Sequence, residues 1–422
     1  MIFKNLLEEI KKKKLFKETI WSFLAKGITF LLVFATNIFL ARFLGVERLG
    51  LWSFFLGILS IILLLSYGGI NASATKYIAE HNKTSNLRNV LKSSFKIRVL
   101  FSLIFSALLL FLYKPLIILI GRPELENLFL WAVPLVFLSG LTEYLKAVFT
   151  GLHRNKYNFI INFIEYGLKL ILLVCFLMFS NNLISVVNSY SLALFITVAV
   201  GFYLFYFNFY KDLKYSNENF DRNIFKYSIP LFFISMGFWM ATELDVVMIG
   251  FIKGNYEVGI YSVAKEIIIK LPHIALAISM GTMPLFAKIN TENKEALKKL
   301  FYKLLKINTI IFGSIAFLLI FFSWFFIPLF YGKNYAGSVL PLQLLTPYLV
   351  MFSYSIFLSS FLDYRGLAKK RAINLSIAII LNIVLNFILI PQYGASGAAI
   401  ATSISYAPYV FLNWIEVKKA LS

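Results

Sequence analysis

The 422-residue chain is 59% hydrophobic and only 14% charged, with a mean hydropathy of +0.78. Soluble domains carry charge on about a quarter of their residues, so the composition excludes an ordinary soluble protein and predicts a membrane protein. A single cysteine and three histidines that lie far apart in sequence support neither a disulfide framework nor a His/Cys metal site.

Apolar runs long enough to cross a bilayer recur along the whole chain. A spanning helix needs about 20 mostly apolar residues. We therefore predict an all-α membrane protein with about twelve spanning helices, at 19–41, 49–70, 99–120, 127–150, 157–180, 183–209, 225–251, 257–285, 305–330, 338–362, 372–390 and 395–415.

The net charge of +21 could suggest nucleic-acid binding, so the placement of the basic residues decides its meaning. With the N-terminus inside, 31 of the 41 Lys and Arg residues fall in cytoplasmic segments, six in external loops and four within the membrane. The positive-inside rule then places both termini in the cytoplasm of a multi-pass plasma-membrane or inner-membrane protein. Because these bases flank helix ends, no nucleic-acid partner is expected.

The predicted external loops are short, the longest running from Tyr113 to Leu125. They leave no room for an external catalytic domain, so any function must be performed within the membrane. We therefore expect a transporter and not an enzyme.

A nine-residue pattern occurs twice at a constant offset of 209 residues. GVERLGLWS at 45–53 matches GNYEVGIYS at 254–262, with the shared form G-x-x-x-[LV]-G-[LI]-[WY]-S. Transporters are often built from repeated halves. We predict two six-helix bundles, 1–209 and 224–422, joined by a cytoplasmic linker at 210–223 and related by a pseudo-two-fold axis along the membrane normal.

Four lysines fall at membrane depth, where each ionisable residue is a functional hypothesis. Lys169 follows Glu165 by four residues and Lys270 follows Glu266 by four, so each has an acid on the same helical face. These two pairs fit a structural role as well as a functional one.

Lys26 and Lys265 have no acid three or four residues away in the sequence. Both lie about 12 Å into their predicted helices at 1.5 Å per residue. We expect them to line a central cleft that attracts an anion such as a diphosphate.

A possible cation site is predicted from oxygen-bearing side chains near the second copy of the repeat. Asp245 precedes a fully apolar stretch, Asn382 and Asn386 share a helical face, and Thr402 could add an oxygen. Hard cations take such ligands, although Asn side chains also join membrane helices by hydrogen bonds. Glu243 is expected to be solvated at a helix end.

Several segments resemble the Wzx-like polysaccharide-biosynthesis flippases of the MOP exporter superfamily, over essentially the whole chain. The resemblance is carried by LARFLGVERLGLWS at 40–53, ASATKYIA at 72–79, DVVMIG at 245–250 with the later GIYS, and the turn PQYGA within 386–402. The family's acid-Leu-Gly sequence is replaced by YGGI at 67–70.

The resemblance implies an alternating-access flippase that moves a polyprenyl-(pyro)phosphate-linked oligosaccharide from the cytoplasmic to the outer leaflet. It also implies a cationic cavity and a sodium site, and here it assigns the cavity to Lys26, Lys265, Lys270 and Lys169 and the sodium site to Asp245, Asn382, Asn386 and Thr402. Asn386 replaces a carboxylate found in some relatives, which weakens the sodium assignment.

Three other functions compete with this interpretation. The first is a MATE-like exporter of drugs or other small molecules, which would favour acids in the cavity. The second is a membrane enzyme, which would need a substantial loop with acids or histidines, and the third is a non-transporting scaffold. The absence of a G-x-x-x-x-G-K-[ST] sequence argues against ATP hydrolysis. We expect no cofactor, sodium or a proton as the coupling ion, and the lipid-linked substrate, membrane lipids and possible glycan polymerases or glycosyltransferases as partners.

Overall fold

The computed structural model describes residues 13–211, 213, 221–272, 275, 276, 279 and 294–421. Within these ranges the chain is helical and contains no strand, which confirms the predicted fold class. The helices are α1 (Lys13–Tyr67), α2 (Ile70–His81), α3 (Leu87–Ile120), α4 (Glu126–Trp131), α5 (Val133–Gly151), α6 (Asn155–Phe179), α7 (Leu183–Phe205), α8 (Asp221–Ile252), α9 (Asn255–Lys270), α10 (Lys294–Tyr331), α11 (Val339–Tyr364) and α12 (Ala368–Leu421).

Two of these helices are too long to cross a membrane once. α12 has 54 residues, which at 1.5 Å per residue is roughly 80 Å against a hydrocarbon core of about 30 Å. It is interrupted by Gly394 (φ 54°), and α1 is interrupted by Gly45 (φ 75°). Glycine reaches these left-handed conformations without a Cβ clash, so each long helix consists of two spans.

Nine candidate spans occur in the part of the chain that the structure describes. Within the described residues, every predicted span overlaps a helix of the structure when α1 and α12 are divided at Gly45 and Gly394. The second part of predicted span 257–285 and most of the linker 210–223 lie outside the described residues.

The chain forms two compact units. The first unit contains Ile58–Trp239 together with the chain up to Asn37, and the second contains Ile38–Gly57 and Met240–Ser422. The segment that carries the first copy of the repeat therefore belongs to the second unit, together with the second copy. The division into two six-helix bundles at 210–223 stays a prediction.

The two copies of the repeat contact each other reciprocally inside the second unit. A Cβ on Gly50 would lie 1.7 Å from the Asn255 carbonyl oxygen, and a Cβ on Gly259 would lie 2.2 Å from the Val46 carbonyl oxygen. The two contacts are equivalent under the 209-residue offset of the repeat, because Gly50 corresponds to Gly259 and Val46 corresponds to Asn255. The repeat thus encodes a close approach of two backbones that only glycine permits.

In the first unit, a buried arginine stabilises the break between α1 and α2. Gly68 and Gly69 there have positive φ, which leaves carbonyl groups of the last turn of α1 without their helical donors. Arg98 of α3 is fully buried and donates to the carbonyl oxygen of Ser66 at 2.9 Å and to its hydroxyl at 3.0 Å. A Cβ on Gly140 would lie 2.1 Å from this guanidinium, so α5 packs directly on it.

The reciprocal glycine contact predicts a large effect of Gly259→Ala. The added methyl would meet backbone atoms of residue 46, which cannot turn away as a side chain can, so the helices must separate. We expect the melting temperature of the purified protein to fall by about 5 °C, measured by tryptophan fluorescence in detergent. Gly313→Ala is the matched control, because a Cβ there meets nothing within 4 Å; equal melting temperatures for both variants would contradict the proposed packing.

Candidate functional site

A polar centre lies in the second unit around Asp245 of α8. Its side chain is 3% exposed. Its Oδ2 accepts hydrogen bonds from the Tyr261 hydroxyl of α9 at 2.5 Å and from the Thr402 hydroxyl of α12 at 3.0 Å. A carboxylate in an apolar environment requires such donors, and here two neighbouring helices supply them.

The two asparagines of α12 extend this centre. Asn382 Nδ2 donates to Thr402 Oγ1 at 3.3 Å, and Asn386 Nδ2 donates to Asn382 Oδ1 at 2.9 Å. The structure therefore joins all four residues of the predicted cation site in one hydrogen-bonded chain. Its binding of an ion stays a prediction.

Two buried oxygens of these four hydrogen-bonded residues, Asp245 Oδ1 and Asn386 Oδ1, have no hydrogen-bond partner among the described residues. Both are acceptors. A proton or a hard cation would satisfy Asp245 Oδ1, and a hydrogen-bond donor or a hard cation would satisfy Asn386 Oδ1, whereas another acceptor would satisfy neither. The donor set of one carboxylate, two amides and hydroxyls thus fits a monovalent cation or a proton.

Lys265 of α9 lies beside Asp245 and is paired with Glu243 of α8, with 3.0 Å between Nζ and Oε2. Lys265, Asp245, Tyr261, Thr242 and Thr402 line one cavity together with apolar side chains. The expectation that Glu243 is merely solvated is wrong. Its partner lies on a different helix, where a search three or four residues along the sequence does not reach.

The pairs predicted by four-residue spacing are present in both units. Lys270 lies 3.5 Å from Glu266 in the second unit, and Lys169 lies 2.6 Å from Glu165 in the first. Lys26 is exposed on α1 in the first unit. The four predicted cavity lysines are thus distributed over the two units, and their role in binding stays a prediction.

The first unit contains a larger charged centre than the sequence suggested. Glu165 of α6, 3% exposed, lies 2.7 Å from Lys146 of α5 as well as 2.6 Å from Lys169. Lys146 also lies 2.8 Å from Glu143. Lys146 was not among the lysines predicted at membrane depth, because it stands near the end of its predicted span. Its three-residue spacing from Glu143 is the signal that could have identified it.

Long, mutually packed apolar helices with buried charged centres define a multi-pass membrane protein. The sequence model of the family described as "Polysaccharide biosynthesis protein" matches residues 15–290, and that described as MatE matches 230–388. The chain therefore belongs to the polysaccharide biosynthesis protein family, which confirms the resemblance found in its sequence.

Relatives of this chain match it over nearly their whole length. An uncharacterised membrane protein of Methanocaldococcus jannaschii is 28% identical over 90% of this chain and 91% of its own length. A Shigella flexneri protein named "Putative O-antigen transporter" is 24% identical over 95% of this chain and 97% of its own.

Solved transporter structures share the fold. A MATE family transporter of the MOP superfamily in an inward-facing conformation superposes with a TM-score of 0.79 at 16% identity, covering 95% of this chain and 98% of that one. The lipid II flippase MurJ in an inward closed conformation gives 0.75 at 18% identity, covering 96% and 87%. At these identities the likeness concerns the fold alone.

The two acids around Lys146 should contribute differently to stability. Glu165→Ala would leave two ammonium groups, each about 15% exposed, close together without their buried counterion. We expect a cost of about 3 kcal/mol in the free energy of unfolding. Glu143→Ala removes a side chain that is 40% exposed and should cost less than about 1 kcal/mol. Denaturation of the purified variants in mixed micelles measures both, and equal losses would contradict the central role assigned to Glu165.

Proposed function

We propose that this protein moves a polyprenyl-(pyro)phosphate-linked oligosaccharide from the cytoplasmic to the outer leaflet of the cell membrane by alternating access. The family supports a role in polysaccharide assembly, and the Shigella flexneri relative is named as a transporter of O-antigen. The protein acts as a transporter and not as an enzyme, because the movement needs no covalent step.

The observation that carries this proposal is Lys265 in the cavity of the second unit. An ammonium group there can bind the phosphate oxygens of the substrate head and replace part of their hydration. The polyprenyl tail stays in the lipid, so only the polar head needs a protein path. Lys26, Lys169 and Lys270 are further candidates for contacts with the head.

The cation site around Asp245 supplies directionality in this proposal. A sodium ion or a proton bound at its unpaired oxygen would couple the gradient across the membrane to the cycle. The ion would be released and rebound as the protein alternates between its two open states.

A MATE-like exporter of small molecules is the second candidate function. The MatE match over 230–388 and the acids Glu243 and Asp245 in the second unit favour it. Transport of an organic cation requires these acids to face the substrate. In the flippase proposal one of them instead balances a lysine and the other binds the coupling ion.

The role of the cavity lysine is tested in proteoliposomes that contain a fluorescent lipid-diphosphate oligosaccharide. Lys265→Met keeps the length of the side chain but removes its charge, so we expect about a tenfold or larger fall in the flipping rate. Lys418→Met, at an exposed position near the end of α12, should leave the rate unchanged. Full flipping by Lys265→Met would contradict the role of this lysine, and transport of an organic cation without any flipping would favour the exporter.

The coupling role of Asp245 is tested by comparing sodium, proton and zero gradients in the same vesicles. Asp245→Asn keeps the size and a hydrogen-bond acceptor but removes the charge that holds a cation, so flipping should become independent of either gradient. Asp363→Asn is the control, since Asp363 is 41% exposed and pairs with Arg371. Undiminished gradient dependence in Asp245→Asn would refute the assignment.

A further inference from the structure

The lysine of the second-unit cavity has two acids beside it that differ in accessibility. The Lys265 side chain is 9% exposed and its ion-pair partner Glu243 is 33% exposed. Asp245, two residues further along α8, is 3% exposed and already accepts two hydroxyl hydrogen bonds. The direct partner of the lysine is therefore the acid that solvent or a ligand can reach.

A second lysine, in the first unit, also lies near one buried acid and one more exposed acid. The Lys146 side chain is 15% exposed and is paired with Glu143, which is 40% exposed. Its other partner, Glu165, is buried and is also held by Lys169. Each lysine thus has one buried acid whose contacts are made within the protein and one glutamate that is considerably more exposed.

The two kinds of acid differ in how easily a ligand can replace them. A buried acid cannot leave its lysine without losing its own compensation, because no water replaces the lost partner. A glutamate on the exposed side of an ion pair separates more easily, because its carboxylate regains water when it leaves the lysine. Phosphate oxygens accept the same hydrogen bonds from an ammonium group and carry more charge.

We propose that Glu243 is an exchangeable counterion, which occupies Lys265 before the substrate binds and is displaced by phosphate oxygens of the substrate head. Glu143 has the same role on Lys146 in the first unit. The identity of the displacing group as a phosphate rests on the proposed function. The glutamate makes the site selective, because a weakly bound monovalent anion does not displace it, and its return to the lysine helps to release the substrate.

The test is the binding of inorganic pyrophosphate to the full-length protein in nanodiscs, measured by calorimetry. Glu243→Gln removes the competing charge and keeps the shape, so we expect pyrophosphate to bind about tenfold more tightly than to the unaltered protein. The gain should disappear in Glu243→Gln combined with Lys265→Met. Glu416→Gln, which removes an acid from the pair with Lys370 on α12, should leave the affinity unchanged.

The proposal is overturned if Glu243→Gln binds pyrophosphate no more tightly than the unaltered protein, or does not bind it. It is also overturned if the gain in affinity persists when Lys265→Met is added. If Glu243→Gln does not fold, Glu243→Asp replaces it. The shorter side chain reaches the lysine less well and should give a smaller gain in affinity, and no gain overturns the proposal.

Flipping by the unaltered protein separates this proposal from the proposed function. Tighter pyrophosphate binding by Glu243→Gln without any flipping of the lipid-linked oligosaccharide would refute the substrate and retain the exchangeable counterion. Normal flipping without the gain in affinity would retain the proposed substrate and refute the exchangeable counterion. Where both hold, Glu243→Gln should lower both the half-saturating substrate concentration and the maximal rate, because release becomes slower.

Discussion

The structure depends on one constraint, which is that hydrocarbon offers no hydrogen-bond partners to a charge or to a broken helix end. Each such group must be satisfied by the protein itself. Arg98 donates to the end of α1 where the helix breaks, Glu165 holds two lysines, and Asp245 accepts from two hydroxyls. In each case at least one partner comes from a different helix, so the polar centres also fix which helices are neighbours.

This constraint changes how the lysines within the membrane are understood. Seen in the sequence alone, Lys265 is a charge without a counterion, whereas in the structure it has Glu243 at 3.0 Å. A fully uncompensated lysine would be costly to bury in every state of a transport cycle. In the exchange that we propose, Glu243 balances the charge of Lys265 when the site is empty and gives way to an anionic head group. That proposal makes stability and binding compatible in one site.

Glycine determines where the long helices are interrupted and where they approach closely. Gly45 and Gly254 begin the two copies of the repeat and both have positive φ. A further equivalence is visible only in the structure: Gly121 and Gly332 end α3 and α10 with positive φ, and each precedes a short 3-10 helix. The sequences around these two glycines are too dissimilar for the equivalence to be recognised without the structure. The backbone conformation requires the glycine but does not constrain the residues beside it.

The sequence by itself determined the membrane class, the positions of the helices and the family, because hydropathy, turn glycines and four-residue spacing are local properties. It also identified all four of the hydrogen-bonded residues Asp245, Thr402, Asn382 and Asn386. Only the tertiary structure decided that Glu243 neutralises Lys265 and that Lys146 joins Glu165. These partners stand on different helices, 22 and 19 residues apart, and no periodicity within one helix specifies which face of a neighbour it will meet.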